Sequence, residues 1–346
     1  MSMPRSNLLS VRYDARFFKN DQMYTRPDPP TGFAVQVTPS DTALAQHPFY
    51  SFHHLFSGIS GSFGATYNIT ERLLVKSNIA RGFRAPNVAE ISANGVHPGT
   101  LIYQIGNMGF KPEFSLQEDL GISYRWDHIS GDLDIYNNNI SNYIFNQKLL
   151  NHLGQDSVIV KGNQTFKYQQ SRAQLYGWEA SLDIHPYDWL HFENSISVIY
   201  ALNGSGKGIH ITDSTRYLPL IPPLHTNTEI RANTIRKLKH FSSLYLKIGM
   251  EYYARQNRVY TAYNTETSTP GYVLFNAGAG ADLQNKKGKL VLSISILANN
   301  ITDLAYQSHL SRLKYFEPYP DNPTGRKGIY NMGRNISFKL SVPLNL

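Results

Sequence analysis

SLQEDLGISYRWD, residues 115–127, puts Leu120, Ile122, Tyr124 and Trp126 on one face of an extended chain and Asp119, Gly121, Ser123 and Arg125 on the other. One face suits hydrocarbon and the other suits water. AQLYGWEASLDI, residues 173–184, has the same form, with Tyr176, Trp178, Ala180, Leu182 and Ile184 opposite Gly177, Glu179, Ser181 and Asp183. GRNISFKLSVPL closes the chain with Ile336, Phe338, Leu340, Val342, Leu344 and Leu346 on one side. The alternating stretches are longer than the five or six residues usual in a soluble sandwich and match the nine to eleven that cross a bilayer as a tilted strand.

Outward from that stretch, the punctuation predicts about twelve strands joined by short and long connections in turn. The first strand runs over 7–18 and is followed by a long Pro- and Asp-bearing connection over 19–55. A strand over 58–69 turns at NITE into one over 72–83, and a long loop over 84–114 leads to the strand ending at Trp126. DHIS turns the chain into 132–145, a loop over 146–169 follows, and HPYD joins 173–184 to a strand ending at Leu202. The remaining strands end at Asn233, span 241–255, 271–282 and 289–300, and finish in the terminal stretch. Short turns on one side and long loops on the other are the habit of outer-membrane barrels, whose short turns are periplasmic. The sequence thus reads as all-β, an antiparallel transmembrane β-barrel segment with both ends on the short-turn side.

Bulk properties agree. The 346 residues carry 41% hydrophobic side chains with a mean hydropathy of −0.36, and no apolar run approaches the eighteen or so residues of a transmembrane helix. A barrel hides its apolar stripe in such averages because only every second residue faces lipid. The 23 Tyr, 17 Phe and 3 Trp include Trp126, Tyr143, Phe145, Tyr187, Trp189, Tyr252, Tyr253 and Tyr272 near strand ends, where interfacial girdles are expected. Net charge is +8, but the basic groups at Arg236, Lys237 and Lys239 and at Lys286, Lys287 and Lys289 lie in turns without interleaved aromatics, which argues against nucleic acid. With no cysteine, no disulfide or thiolate site arises. HExxH, GxSxG and P-loop patterns are absent, and NGSGKG at 203–208 lacks a strand-to-helix setting. The chain is read as no enzyme.

NIARGFRAPNVAEISANG, then IGN at 105–107 and KPEFS at 111–115, resembles the strand end and loop of TonB-dependent outer-membrane receptors. The matching positions are Arg81, Gly82, Phe83, Arg84, Ala85, Pro86, Asn87, Gly106, Asn107, Lys111, Pro112 and Glu113. NNITDLAY near the C-terminus is similar to a second family motif through Asn300, Asp303 and Tyr306. The resemblance covers most of the chain from about residue 57. It implies that residues 1–346 form the second half of a 22-stranded barrel without the plug domain, a C-terminal fragment in an outer membrane. Implied partners are outer-membrane lipid and lipopolysaccharide, a metal-chelate ligand, the missing N-terminal plug and barrel half, and the TonB complex only through that missing part. No cofactor is implied. Pro86 fixes φ and lacks a donor, so Arg84, Pro86 and Pro112 also suit the place where a strand leaves its ladder.

Ligand groups are expected on the long loops. His97 in ANGVHPGT resembles the placement of loop histidines in haem and zinc receptors of the family, and Tyr103 lies just beyond it. His53 and His54 in the first loop, and His309 with Arg312 and Tyr315 in the last, are further candidates. Adjacent histidines on a strand would face opposite ways and could not share an ion, whereas in a loop they could. Which metal is bound stays open. The cargo expected from the family is an iron chelate such as a siderophore, with haem or zinc as alternatives. A passive pore closed by the twelve strands and a soluble β-rich binding module are the competing readings.

Overall fold

The computed structural model describes residues 5–27, 34–38, 40, 42, 45–204, 211–234, 240–315 and 327–343. Part of the expected RPDPPTG and NGSGKG loops, the basic turn at Arg236, Lys237 and Lys239, and Leu344 and Leu346 fall outside them. The strands are β1 (Arg5–Asn20), β2 (Met23–Pro27), β3 (Ala34–Val37), β4 (Gln46–Phe49), β5 (Phe52–Asn68), β6 (Leu73–Arg84), β7 (Asn94–His97), β8 (Ile102–Ile105) and β9 (Glu113–Trp126). They continue with β10 (Ile129–Lys148), β11 (Thr165–Tyr187), β12 (Leu190–Gly204), β13 (His225–Asn233), β14 (Phe241–Tyr253), β15 (Tyr272–Gln284), β16 (Leu290–Asn299) and β17 (Asn335–Ser341). Among the described residues one α-helix, α1 (Val88–Ser92), opens the loop after β6.

Twelve of these strands form one antiparallel path, β1-β5-β6-β9-β10-β11-β12-β13-β14-β15-β16-β17. Each strand bonds the next in sequence apart from small elements inserted in the long connections. The path ends at β1 and β17 without joining them, so the described sheet is an open wall. Short and long connections alternate throughout, so all the long loops gather at one end.

Parity along each strand sets the two faces. Leu9, Val11, Tyr13 and Phe17 of β1 stand opposite Phe63, Gly61, Ile59 and Leu55 of β5, and their large side chains are mostly exposed, Leu9 at 72% and Ile59 at 57%. Leu116, Leu120, Ile122 and Trp126 continue that apolar face on β9, and Ile336, Phe338 and Leu340 do so on β17. The other face is polar and internally bonded. Asn78 donates to Asp119 at 3.1 Å, Ser123 to Asp132 at 2.5 Å, Lys247 to Glu229 at 2.8 Å and Asn276 to Glu251 at 2.6 Å. An apolar exterior around a polar interior is the inverse of a soluble sandwich, whose greasy faces meet each other. No helix among the described residues is long and apolar enough to cross a membrane.

Three local readings are corrected. The loop expected over 146–169 is shorter, because β10 runs to Lys148 and β11 starts at Thr165. This hairpin is packed by the loops, with Ile144, Lys148, Thr165 and Ser171 all buried, so apolar and polar residues no longer alternate by face. The strand expected from 58 begins at Phe52. Tyr253 and Tyr272 are not girdle residues. They stack on each other at 4.7 Å, and Tyr272 packs on Tyr306 at 4.5 Å, on the face that carries Glu251. Position along a strand placed them at the interface, but parity turns them inward; Trp126 and Tyr187 are exposed at the short-turn end.

Candidate functional site

The long-loop end is where the residues of the RGFRAPN segment meet. Arg84 leaves β6 on the inner face and pairs with Glu90 at 3.0 Å and with Glu113 of β9. Glu90 and Glu113 are both buried. Glu113 also accepts the Ile144 backbone N–H at 2.5 Å. Asn87 caps α1: its Oδ1 accepts the Glu90 N–H, and Glu90 accepts the Asn87 N–H, both at 2.8 Å. A five-residue helix has little stability of its own, so this box and the docking of Ile91 against Phe52 and Phe56 hold it in place. Pro86 is fully buried and Ala85 packs on that cluster.

Downstream, a Cβ on Gly106 would stand 2.6 Å from the Ile91 carbonyl. Only glycine lets the loop return so close that Asn107 N–H donates to Glu90 O at 2.9 Å. Lys111 exchanges backbone bonds with the Gln170 side chain at 3.1 and 2.6 Å, and the Pro112 carbonyl accepts from Asn142 at 2.9 Å. A Cβ on Gly82 would stand 2.6 Å from the Ser115 hydroxyl, which would have to turn aside. Arg81 lies over the Phe114 ring at 4.1 Å, in register with outward Leu116. In the last long loop, Asn300 and Asp303 take positive φ. Asn300 brackets Leu304 with two bonds of 2.9 Å, and Asp303 accepts the Arg334 N–H at 2.8 Å. These motif residues therefore build loop architecture.

The proposed ligand residues separate into three places. His97 is exposed at the tip of the β7–β8 hairpin, its Nδ1 accepting the Gly99 N–H at 3.2 Å. Tyr103, on β8, donates to Asn94 at 2.9 Å, and Asn94 donates to the Tyr50 hydroxyl at 2.9 Å and the His47 carbonyl at 3.0 Å. The His47 ring stacks on Tyr24 at 4.5 Å and meets Tyr50 edge-on at 4.6 Å. Its Nε2 is buried with no hydrogen-bond partner among the described residues. Burial, helped by the neighbouring Tyr50, pushes the Tyr103 phenol up. Tyr24, His47 and Asn94 were missed in the sequence, because nothing local marks two long loops as neighbours.

His53 and His54 lie on β5, on opposite faces. His53 meets Phe17 on the outer side at 4.8 Å, and His54 stacks near Phe56 within at 5.6 Å. They do not share an ion. His309 is buried between loops, its Nε2 3.1 Å from Glu266 and its Nδ1 2.8 Å from Thr269. Lys314 donates to Thr269 at 2.6 Å, and the Tyr315 hydroxyl accepts the Thr267 N–H at 3.1 Å. Glu266 also accepts the backbone N–H groups of Leu220 at 2.7 Å and Tyr260 at 2.9 Å, tying three loops together. Burial pushes the Glu266 carboxyl up, but His309 and the two amides outweigh it and hold the group below its ordinary value. Arg312 is exposed beside this knot.

Comparison with known proteins agrees with this architecture. A family model described as TonB dependent receptor-like, beta-barrel, matches residues 7–301. A ferric enterobactin receptor from Pseudomonas aeruginosa is 24% identical over 169 residues, 46% of this chain and 23% of that protein. The copper transporter OprC superposes over 97% of this chain and 45% of its own, with a TM-score of 0.71 at 15% identity. The FrpB iron transporter from Neisseria meningitidis does so over 97% and 42%, at 0.63 and 12%. The P. aeruginosa ferric enterobactin receptor PfeA matches over 84% and 41%, at 0.56 and 18%. At these identities the solved structures speak for the fold, and the chain spans less than half the length of each.

Proposed function

The chain belongs to the TonB-dependent receptor-like β-barrel family, and from that premise we propose that it walls part of a 22-stranded outer-membrane receptor importing a scarce metal complex, an iron chelate of siderophore type. The observation that carries this reading is the two-faced sheet with its long loops at one end. An unpaired strand edge cannot stand in hydrocarbon. The outer edges of β1 and β17 therefore pair with further strands of the same kind, and the polar inner face lines a lumen filled by a plug. Loops and plug capture the chelate, and the inner-membrane TonB complex, acting through the plug, drives the rearrangement that admits it. The wall supplies lipid contact, loops and lumen-facing polar groups. Arg81, outward at the loop end, suits the phosphates of lipopolysaccharide.

Relatives described as receptors or transporters for ferric enterobactin, copper and iron support a metal cargo in general. The phenols of Tyr24, Tyr50 and Tyr103, with His47 and the exposed His97, favour an anionic chelate with aromatic rings by stacking and hydrogen bonding. Competition binding on the folded chain tests this. A ferric catecholate should bind in preference to haem or Zn2+, and Tyr103→Phe together with His97→Ala should weaken it by about tenfold, one lost hydrogen bond's worth. Haem or Zn2+ binding that no ferric chelate displaces would overturn the cargo assignment.

A further inference from the structure

Far from the loops, at the short-turn rim, Asp183, His185 and His191 converge on the inner face. Asp183 and His185 are two apart near the end of β11 and share the face of Glu179 and Ser181, while His191 is the second residue of β12. The Asp183 carboxylate lies 3.1 Å from His185 Nδ1 and 3.3 Å from His191 Nδ1. One donor atom from each of the three lies within 4.8 Å of the others, and the two imidazoles stack at 5.4 Å. An irregularity in register between Ile184 and Tyr187 makes the meeting possible. Pro186, which has no N–H to give a ladder, lies within it.

The outer contacts orient the cluster. His185 Nε2 lies 2.8 Å from the Asp127 carbonyl oxygen, which can only accept, so that nitrogen carries the proton. With the outer nitrogen held there, the ring turns Nδ1 toward the Asp183 carboxylate. Glu193 stands directly across from Asp183 on the same face, and like charges so placed repel. A cation between the carboxylate and the imidazoles would be held by all three ligand atoms and would offset the facing carboxylates. A backbone carbonyl holding the outer nitrogen is how ligating histidines are oriented. The 3.1 and 3.3 Å separations approach the edge of roughly 3.3 Å set by a tetrahedral ion with bonds of about 2.0–2.1 Å. Two imidazoles and one carboxylate suit Zn2+, Cu2+ or Ni2+ rather than Mg2+ or Ca2+.

We propose that Asp183, His185 and His191 bind one divalent transition-metal ion of the Zn2+ kind at the short-turn mouth of the lumen, with a position left for water. The assignment does not rest on the cargo reading. Its structural effect is to pin the β11–β12 hairpin beside the preceding turn, where His128 Nδ1 lies 3.2 Å from the His185 carbonyl.

The test is titration of the chelator-stripped full chain, folded in detergent, with Co2+ followed by its visible absorption, then displacement by Zn2+. One equivalent should bind with the intensity of a four-coordinate ion. His185→Ala and His191→Ala should each weaken binding by more than the roughly 10–100-fold that loss of an outer-shell partner costs, while His152→Ala and His240→Ala, at exposed sites elsewhere, leave it unchanged. No stoichiometric binding, or binding that survives both ligand variants, overturns the proposal. Should a variant fail to show the heat-dependent gel mobility of a folded barrel, pulsed EPR of the Cu2+-loaded wild-type chain decides: two coupled imidazoles support the site, and one or none refutes it.

Discussion

Arg84 holds two carboxylates from different elements, and Glu113 answers it while also accepting a backbone N–H from β10. Removing Glu113 leaves a buried amide and half of an ion pair unmatched. Glu113→Ala should cost about 2–3 kcal/mol in urea unfolding with lipid present, below the full loss of a buried pair because the Arg84 side chain is 44% exposed to solvent. Glu266 makes a pH-dependent contribution. Its folded pKa is lowered, so the stabilisation it gives is complete above the ordinary value of 4.5 and is lost as pH falls through the folded one. Amide exchange, corrected for intrinsic rates, should show protection of residues 256–269 and 309–315 declining below about pH 4.5. Glu266→Gln should flatten that profile; an unchanged profile would show that the knot does not depend on this charge.

At the scale of elements, glycine spacing separates loop architecture from plain strand. Gly106→Ala drives a methyl to 2.6 Å from the Ile91 backbone, whereas Gly64→Ala meets its nearest neighbour at an ordinary 3.5 Å. The first should destabilise the folded chain by about 2 kcal/mol or more and the second by under 1, read by unfolding midpoints; equal effects would contradict the close return of the loop. Sequence showed the strands wherever one face meets lipid, as in 115–127, because parity is the physical demand there. It misplaced the ends of β10 and β11, where loops pack on the hairpin and bury polar Lys148, Thr165 and Ser171 beside Ile144, so the alternation is lost. It gave no sign that Asp183, His185 and His191 meet, since that depends on an irregular register beside the turn. The Tyr24, His47 and Tyr103 cluster was equally hidden, being assembled by contact between two loops distant in sequence.

For the whole molecule, the question is what lies beyond β1 and β17. The natural absence of cysteine gives a clean background. Leu9→Cys with Phe63→Cys sits directly across β1 and β5, within the Cα spacing a disulfide accepts, and should oxidise readily. Leu9→Cys with Phe338→Cys should not, because β1 and β17 are unpaired ends of the sheet. Crosslinking of the second pair within one chain would instead favour a closed twelve-strand pore. The most direct measurement is the accessibility of spin labels placed singly from residue 116 to 126 on β9, in bilayers, to oxygen and to a water-soluble relaxer. Labels at 116, 120, 122 and 126 should favour oxygen, and those at 117, 119, 121, 123 and 125 the aqueous reagent, with a period of two. A flat profile, or the opposite phase, would contradict a wall with lipid outside and water within.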